Sequence, residues 1–469
     1  MFLLGLLGHA ANGYAAPNAK DLRREVQELE ADHDRATAAI QSLQDGGGQA
    51  ATAISDAWPS FSLVAKKRAI LVLGALADEE DEAVEALLVA ARAKDEAVRA
   101  RALEALRKGG ARGRIGLASL LGDDEVGDRA AAILARSDPD AAIATLLDAM
   151  AEPGGSERSG FRDALVVAVD RAEEPEPALR SWLDESPPPS SVASAALALS
   201  RTGRPGEVLV SYIETSLPAA DDFDTRWRLL RSAVVAGASE PIDDWVEAQL
   251  RDAEPWMLRA AAVDAITARG SRERARPSLR DPYPRVRAGA AEALSGDQAS
   301  LVERATLARK DVWPMVRAAA VRSLRSEGEA LPIVIAAVDD PMSMVRAAAI
   351  EVLVGTSHDQ GWESVHRRLR ASDEWPRVTE VALEYVVAHC RTDAVESLFV
   401  VVMRAAPSQA TTDDLNNAAR AIEALRLLGT REARAMIEQL RETASVPPTL
   451  KLALDAPLPE SSRCPAPAR

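Results

Sequence analysis

Four stretches of the sequence repeat one nine-residue motif: LRAAAVDAI at 258–266, VRAGAAEAL at 286–294, VRAAAVRSL at 316–324 and VRAAAIEVL at 345–353. Their starting positions, 258, 286, 316 and 345, lie 28, 30 and 29 residues apart. A fixed period of this length is the sequence signature of a repeat architecture, in which each unit contacts only its neighbours. This region therefore indicates a protein built of stacked repeats.

The spacing of apolar residues within the motif predicts an amphipathic helix. If its first residue is position 0, then positions 0, 4, 7 and 8 fall on one side of a helix with 3.6 residues per turn. Small alanines at positions 4 and 7 allow a second helix to approach closely. The same geometry predicts that positions 2, 6 and 9 are the most exposed, and position 2 is Ala in all four copies: Ala260, Ala288, Ala318 and Ala347.

A turn rich in aspartate and proline comes before most copies of the motif. These turns are Asp281-Pro282-Tyr283-Pro284, Asp311-Val312-Trp313-Pro314, Asp340-Pro341 and Asp373-Glu374-Trp375-Pro376. Proline ends the preceding helix and suits the first turn of the next one. A second apolar segment, such as 331–338, lies upstream of each turn. Each unit is thus predicted to be a helical hairpin that buries its apolar face only by stacking on its neighbours.

Looser copies of the motif extend the array in both directions. A clean copy begins at Val98, and weaker ones begin at Ala65, Val126, Phe161, Val192, Trp227, Val378 and about residue 415. We count about twelve units and place the repeat region at 49–455. Before it we expect one amphipathic helix over 21–44 and a glycine linker, within 17–48. A flexible proline-rich tail is expected at 456–469.

The motif and its Asp-Pro turn resemble HEAT repeats, in particular the HEAT-like repeats shared with phycobilisome lyases. The resemblance implies an all-α fold, a right-handed α-α superhelix of HEAT or armadillo type, whose second helices line the concave face. It also implies a ladder of ion pairs that stitches repeats together. In this sequence Asp281, Asp311 and Asp340 would pair with Arg287, Arg317 and Arg346, or with the arginines of adjacent repeats.

Position 6 of the better copies is mainly acidic, with one arginine in the column: it reads Glu104, Asp264, Glu292, Arg322, Glu351 and Glu384. If the second helices line an inner surface, these carboxylates form an acidic stripe above a floor of alanines. Such a stripe suits a basic or extended polypeptide ligand. The alternative is an ordinary solvated helix face, because exposed helices usually carry charge.

A second column consists of large side chains three residues before each motif: Tyr283, Trp313, Met342 and Trp375. A row of such residues along one rim could form a peptide-docking edge, because Trp and Tyr dominate interface hot spots. The alternative is that each ring covers its own proline and fills the junction between repeats. The exposure of Trp313 and Trp375 distinguishes the two.

The charge and the missing motifs narrow the function. Acids outnumber bases by 72 to 56, for a net charge of -16, which argues against nucleic acid as a partner. No phosphate-binding loop, zinc-protease helix or nucleophile elbow occurs in the sequence. His358 and His366 are interpreted as incidental rather than as a metal site, and no cofactor is expected. We therefore predict a non-catalytic scaffold that binds a protein or peptide partner. The alternatives are an enzyme built on HEAT-like repeats, such as a bilin lyase, and, ranked last, a glycosylase-type DNA-binding protein.

The N-terminus and the two cysteines bear on cellular location. Residues 1–7, MFLLGLL, are apolar, and small residues follow near position 15, so 1–16 is interpreted as the remnant of a signal peptide. This predicts a periplasmic or secreted protein with no membrane-spanning segment in its mature chain; an untargeted, cytoplasmic protein is the alternative. Whether Met1 is the true start, and whether Cys390 and Cys464 pair, is left open by the sequence.

Overall fold

The computed structural model describes residues 19–203, 206–251, 255–325, 328–356, 360–406, 410–443, 445–456 and 464. The proposed signal remnant at 1–16, His358 and most of the proline-rich tail lie outside the described residues. All regular structure in the described part of the chain is helical. The chain divides into two compact units, residues 1–242 and 243–469.

The first unit contains fourteen α-helices within its described residues. They are α1 (Ala19–Glu28), α2 (His33–Gln44), α3 (Gly47–Ala57), α4 (Leu63–Leu76), α5 (Asp81–Ala91), α6 (Glu96–Lys108), α7 (Gly110–Ser119), α8 (Gly127–Ser137), α9 (Pro139–Ala151), α10 (Ser159–Arg171), α11 (Pro175–Asp184), α12 (Pro189–Leu199), α13 (Gly206–Ser216) and α14 (Phe223–Ala233). The even-numbered helices pack in one consecutive row from α2 to α14. The odd-numbered helices pack beside them, so each hairpin contacts mainly the next one.

The second unit repeats this arrangement. Helix α15 (Glu240–Ala248) crosses residue 242, and the helices after it are α16 (Trp256–Ala268), a 3-10 segment (Arg272–Arg280), α17 (Pro284–Ala293), α18 (Leu301–Lys310), α19 (Pro314–Ser323), α20 (Leu331–Ala337), α21 (Ser343–Val354), α22 (Trp362–Arg370), α23 (Pro376–Ala388), α24 (Val395–Met403), α25 (Thr412–Leu428), α26 (Arg431–Glu442) and α27 (Pro448–Asp455). Helices α16, α17, α19, α21, α23, α25 and α27 pack in order as a row of second helices. This nearest-neighbour stacking confirms the predicted all-α solenoid.

The repeated motif forms the core as its spacing predicts at positions 0, 4 and 8. In the copy that begins at Val286, the side chains of Val286, Ala290 and Leu294 are completely buried. Close packing of alanines with larger neighbours is how adjacent second helices come together. None of the described helices combines the length and hydropathy that a bilayer-spanning helix needs.

The predicted N-terminal segment differs from the structure in two ways. Residues 21–44 form two helices instead of one, because the carboxylate of Asp32 accepts a hydrogen bond from the backbone N–H of Arg35 (3.1 Å) and starts α2 afresh. The glycines expected to be a linker instead begin α3 at Gly47. This segment is therefore an additional helical hairpin, α1–α2, that packs on α3 and α4.

Candidate functional site

The acidic turns of the second unit, each of which joins the two helices of one hairpin, share one local geometry. The carboxylate of Asp281 accepts a hydrogen bond from the backbone N–H two residues later, that of Tyr283 (2.7 Å). Asp311 does the same for Trp313 (2.9 Å), and Asp340 for Met342 (2.8 Å). The large residue is left in an extended conformation just before its helix, with proline in the first turn after Tyr283 and Trp313. The hydrogen-bonded turn thus places each large side chain at the same position in its repeat.

An ion-pair ladder joins these turns, and it runs from each arginine to the carboxylate of the following repeat. Arg287 donates from Nε and Nη2 to Asp311 (2.9 and 3.1 Å), and Arg317 donates in the same way to Asp340 (both 2.9 Å). Each arginine also donates from Nη1 to the backbone carbonyl of its own turn: Arg287 to Asp281 and Arg317 to Asp311, both at 2.8 Å. Of the two pairings that the resemblance left open, the structure has the one between adjacent repeats.

Two members of the ladder were not identified from the sequence. Arg259 forms a two-bond pair with Asp281 (2.6 and 3.0 Å), and both side chains are buried. Arg346 pairs with Glu374 rather than with an aspartate. Glu374 stands one residue before its tryptophan, whereas Asp311 stands two before, so the longer side chain reaches the same place. Arg259 stands at position 1 of the first motif, as the other arginines of the ladder do in theirs, so the repeat pattern could have identified it. The pattern does not identify Glu374, because the aspartates of the other turns stand two residues before the rim residue and not one.

The large side chains of these turns form an exposed row, which we call the rim: Tyr283, Trp313, Met342 and Trp375. Their exposed fractions are 37%, 51%, 45% and 64%. At one end, the ring of Tyr283 stacks on Trp256, with centroids 4.3 Å apart. Val312 and Met344, beside the rim residues in sequence, are exposed as well. At least half of the surface of Trp313 and of Trp375 is therefore exposed to solvent.

The acidic stripe does not exist as an unbroken row of free carboxylates. Arg322 lies between Glu292 and Glu351, at 3.5 and 3.4 Å from their oxygens. Glu351 is also paired with Arg377 (2.6 Å), and hydrogen bonds to Glu380 and Glu351 raise the pKa of Arg377. Glu384 is exposed. Charges therefore alternate along this face, because arginines from neighbouring repeats fall between the glutamates.

The predicted alanine floor is also corrected by the structure. Ala288, Ala318 and Ala347 are buried, with exposed fractions of 8%, 1% and 6%, and Ala260 is half-buried. A helix inside a stack has a neighbour on both flanks, so position 2 is covered by the next repeat although it lies away from the helix's own hairpin partner.

The histidines and cysteines take structural positions in the second unit. His366 hydrogen bonds to the hydroxyl of Ser397 (2.8 Å) and stacks on Trp362, and burial lowers its pKa. His358, which the sequence places eight residues before it, lies outside the described residues. No cluster of three metal-ligating side chains occurs among the described residues. Cys390 and Cys464, 74 residues apart, form a disulfide.

No protein-family model matches the chain, and no curated protein sequence matches it. Solved structures similar to it include Kap95p, in a structure with RanGDP, at 14% identity over 93% of this chain and 74% of the other, with a TM-score of 0.48. Kap121p bound to the extreme C-terminus of the protein phosphatase Cdc14p is 12% identical over 90% of this chain and 60% of that one, with a TM-score of 0.45. A structure of yeast importin-beta (Kap95p) is 13% identical over 93% and 74%, with a TM-score of 0.41.

Proposed function

We propose that this protein is a non-catalytic scaffold of HEAT-like repeats that binds a protein or peptide partner through its exposed rim. One observation carries the proposal: the same position in four consecutive turns holds a large apolar or aromatic residue that is at least one third exposed. Folding normally removes such side chains from water, since each buried one contributes roughly 1.5–3 kcal/mol. Exposed apolar patches are typical of interaction surfaces, and Trp and Tyr dominate the energy of such interfaces.

The geometry of the rim favours an extended partner over a small molecule. Stacked helices lie roughly 10 Å apart, so three steps from Tyr283 to Trp375 cover about 30 Å. An extended peptide covers that length with about nine residues. Small-molecule sites are instead concave and enclose most of their ligand.

The rim can be tested with three forms of the protein as bait in an extract of its source organism. One is the natural chain, one carries Tyr283→Ala and Trp313→Ala, and the matched control carries Phe223→Ala and Trp227→Ala, which remove two exposed aromatic residues from the first unit. We expect the natural chain and the control to retain a common partner and the rim variant to lose it. Circular dichroism checks that all three are folded.

Equal recovery of that partner by the rim variant and the control would contradict the proposal. So would a partner that is lost only with the control.

We also propose that the protein works outside the cytoplasm, in the periplasm or as a secreted protein. The disulfide between Cys390 and Cys464 supports this, since disulfides persist mainly in oxidising compartments. Cell fractionation followed by thiol labelling tests it: the protein should be absent from the cytosolic fraction and its cysteines should resist labelling until reduced. Cytosolic protein with two free thiols would refute the proposal.

A further inference from the structure

A hollow of about 680 Å³ opens beside Trp375, between the start of α23 and the first half of α25. Its lining includes Trp375, Arg377 and Glu380 on one side and Asp413, Asn416 and Arg420 on the other. Trp375 is 64% exposed, more than any other rim residue. The hollow therefore offers an indole surface that no described part of the chain covers.

One carboxylate beside the hollow, that of Asp413, has no ion-pair partner among the described residues. Arg377 pairs with Glu351 and Glu380, at 2.6 and 2.8 Å. Arg420 pairs with Glu380 as well, at 2.6 Å. Asp413 is exposed and forms no ion pair with any described residue. Both cations are engaged, and the carboxylate of Asp413 is free to receive another.

Two neighbouring asparagines have different positions. Asn417 is nearly buried and donates to the carbonyl of Pro376 (3.1 Å), which ties α25 to the turn that carries Trp375. Asn416 is exposed, and its amide has no hydrogen-bond partner within the described part of the chain. It follows Asp413 by three residues and so lies on the same face of α25. A free amide both donates and accepts, as hydrogen bonding to an extended peptide backbone requires.

We propose that this hollow receives a lysine or arginine side chain from an extended segment of the protein partner. The aliphatic stem lies against the indole of Trp375, the cation bonds to Asp413, and Asn416 holds the adjacent peptide group. The net charge of -16 attracts basic segments over a distance. This inference rests on the proposed function, because it assigns one subsite of the rim.

The test uses the full chain labelled with 5-fluorotryptophan, with the Trp375 signal assigned in the fluorine NMR spectrum by Trp375→Phe. The probes are three blocked heptapeptides of alanine whose central residue is lysine, norleucine or glutamate. We expect the lysine peptide to shift the Trp375 signal and to bind about fivefold more tightly than the norleucine peptide, as an exposed ion pair of about 1 kcal/mol implies. Asp413→Asn should abolish that difference. Asp34→Asn, an exposed aspartate in the first turn of α2, is the matched control and should preserve it.

Three results would overturn the inference. They are equal affinity for the lysine and norleucine peptides, tighter binding of the glutamate peptide through Arg377 and Arg420, and a Trp375 signal that no peptide shifts. Any of these leaves the proposed function standing if the Tyr283 and Trp313 variant still loses its partner. Failure of the proposed function appears instead in that capture experiment, where Trp375 and Asp413 are unchanged.

Discussion

Three arginines of the ladder, Arg287, Arg317 and Arg346, each donate both to a carboxylate and to a backbone carbonyl, and this explains why arginine stands at position 1 of the motif. The planar guanidinium of Arg317 donates two bonds to Asp340 and a third to the carbonyl of Asp311. Lysine, a point charge with no fixed fork, cannot hold both partners in this geometry. The ladder thus connects the turn of one repeat to the turn of the next through one side chain.

At the residue scale, we expect Arg317→Ala to lower the free energy of unfolding of the second unit by about 3 kcal/mol, because it leaves the mostly buried Asp340 without its cation. Urea unfolding measures the loss, and hydrogen exchange should locate it in α19 and α21. The control is Arg322→Ala, whose exposed ion pairs should contribute less than about 1 kcal/mol. Similar losses from both variants would show that the ladder does not stabilise the stack.

His366 gives a pH prediction. Burial lowers its folded-state pKa below the ordinary value of 6.5, so the unfolded chain binds this proton more readily than the folded chain does. The free energy of unfolding that depends on this neutral, buried imidazole is fully present above pH 6.5, and it falls as the pH drops through the folded-state pKa. Melting temperatures at pH 7.5 and 5.5 should therefore differ less for His366→Gln than for the natural chain. His33→Gln, an exposed histidine of the first unit, should behave like the natural chain; if His366→Gln did too, burial of His366 would not be the cause.

At the scale of single elements, close approach between helices is set by small residues. Helices α6 and α7 follow each other almost without a loop, and a Cβ atom on Gly113 would stand 2.0 Å from the carbonyl oxygen of Leu106. That oxygen belongs to the backbone and cannot move aside as a flexible side chain would. The junction between the hairpin that ends with α6 and the one that begins with α7 therefore requires glycine at this position.

We expect Gly113→Ala to destabilise the first unit by about 3 kcal/mol or more, since the helices must separate to admit the methyl group. The matched control is Gly122→Ala, because a Cβ there meets nothing within 4 Å. Thermal unfolding of the two variants is the measurement. Equal melting temperatures would mean that α6 and α7 do not approach as closely as described.

At the scale of the whole molecule, stability is distributed over contacts between neighbouring repeats within each unit. The disulfide adds a covalent link to these contacts, since it ties Cys464, beyond α27, to Cys390, two residues after the end of α23. It encloses the last two hairpins in a covalent loop.

Removing the disulfide should destabilise the second unit and leave the stability of the first unit unchanged. The loop of 74 residues gives an expected loss of about 4 kcal/mol on the chain-entropy model. Urea unfolding followed by hydrogen exchange, with and without reductant, should show the loss in α24 to α27 and no change in α1 to α14. Cys464→Ser should show the loss already and should not respond to reductant; a response would point to another cause.

The sequence alone determined the helical hairpins of 258–353 and the burial of Val286, Ala290 and Leu294, because both follow from spacing along a single helix. It also located the rim, since the Asp-Pro turns recur with the same period. The exposure of Trp313 and Trp375 was decided only by the tertiary structure. The same spacing of large residues is equally compatible with rings that are buried at the junction between two repeats.

Tertiary structure likewise decided which partner each charge takes. Arg287 reaches Asp311 in the next turn, Arg322 separates Glu292 from Glu351, and neighbouring helices cover Ala318. These contacts join residues that are one repeat apart and depend on how the hairpins stack, which the period of a single helix does not specify. The pairing of Cys390 with Cys464 follows the same rule: whether two residues 74 positions apart meet depends on the path of the folded chain between them.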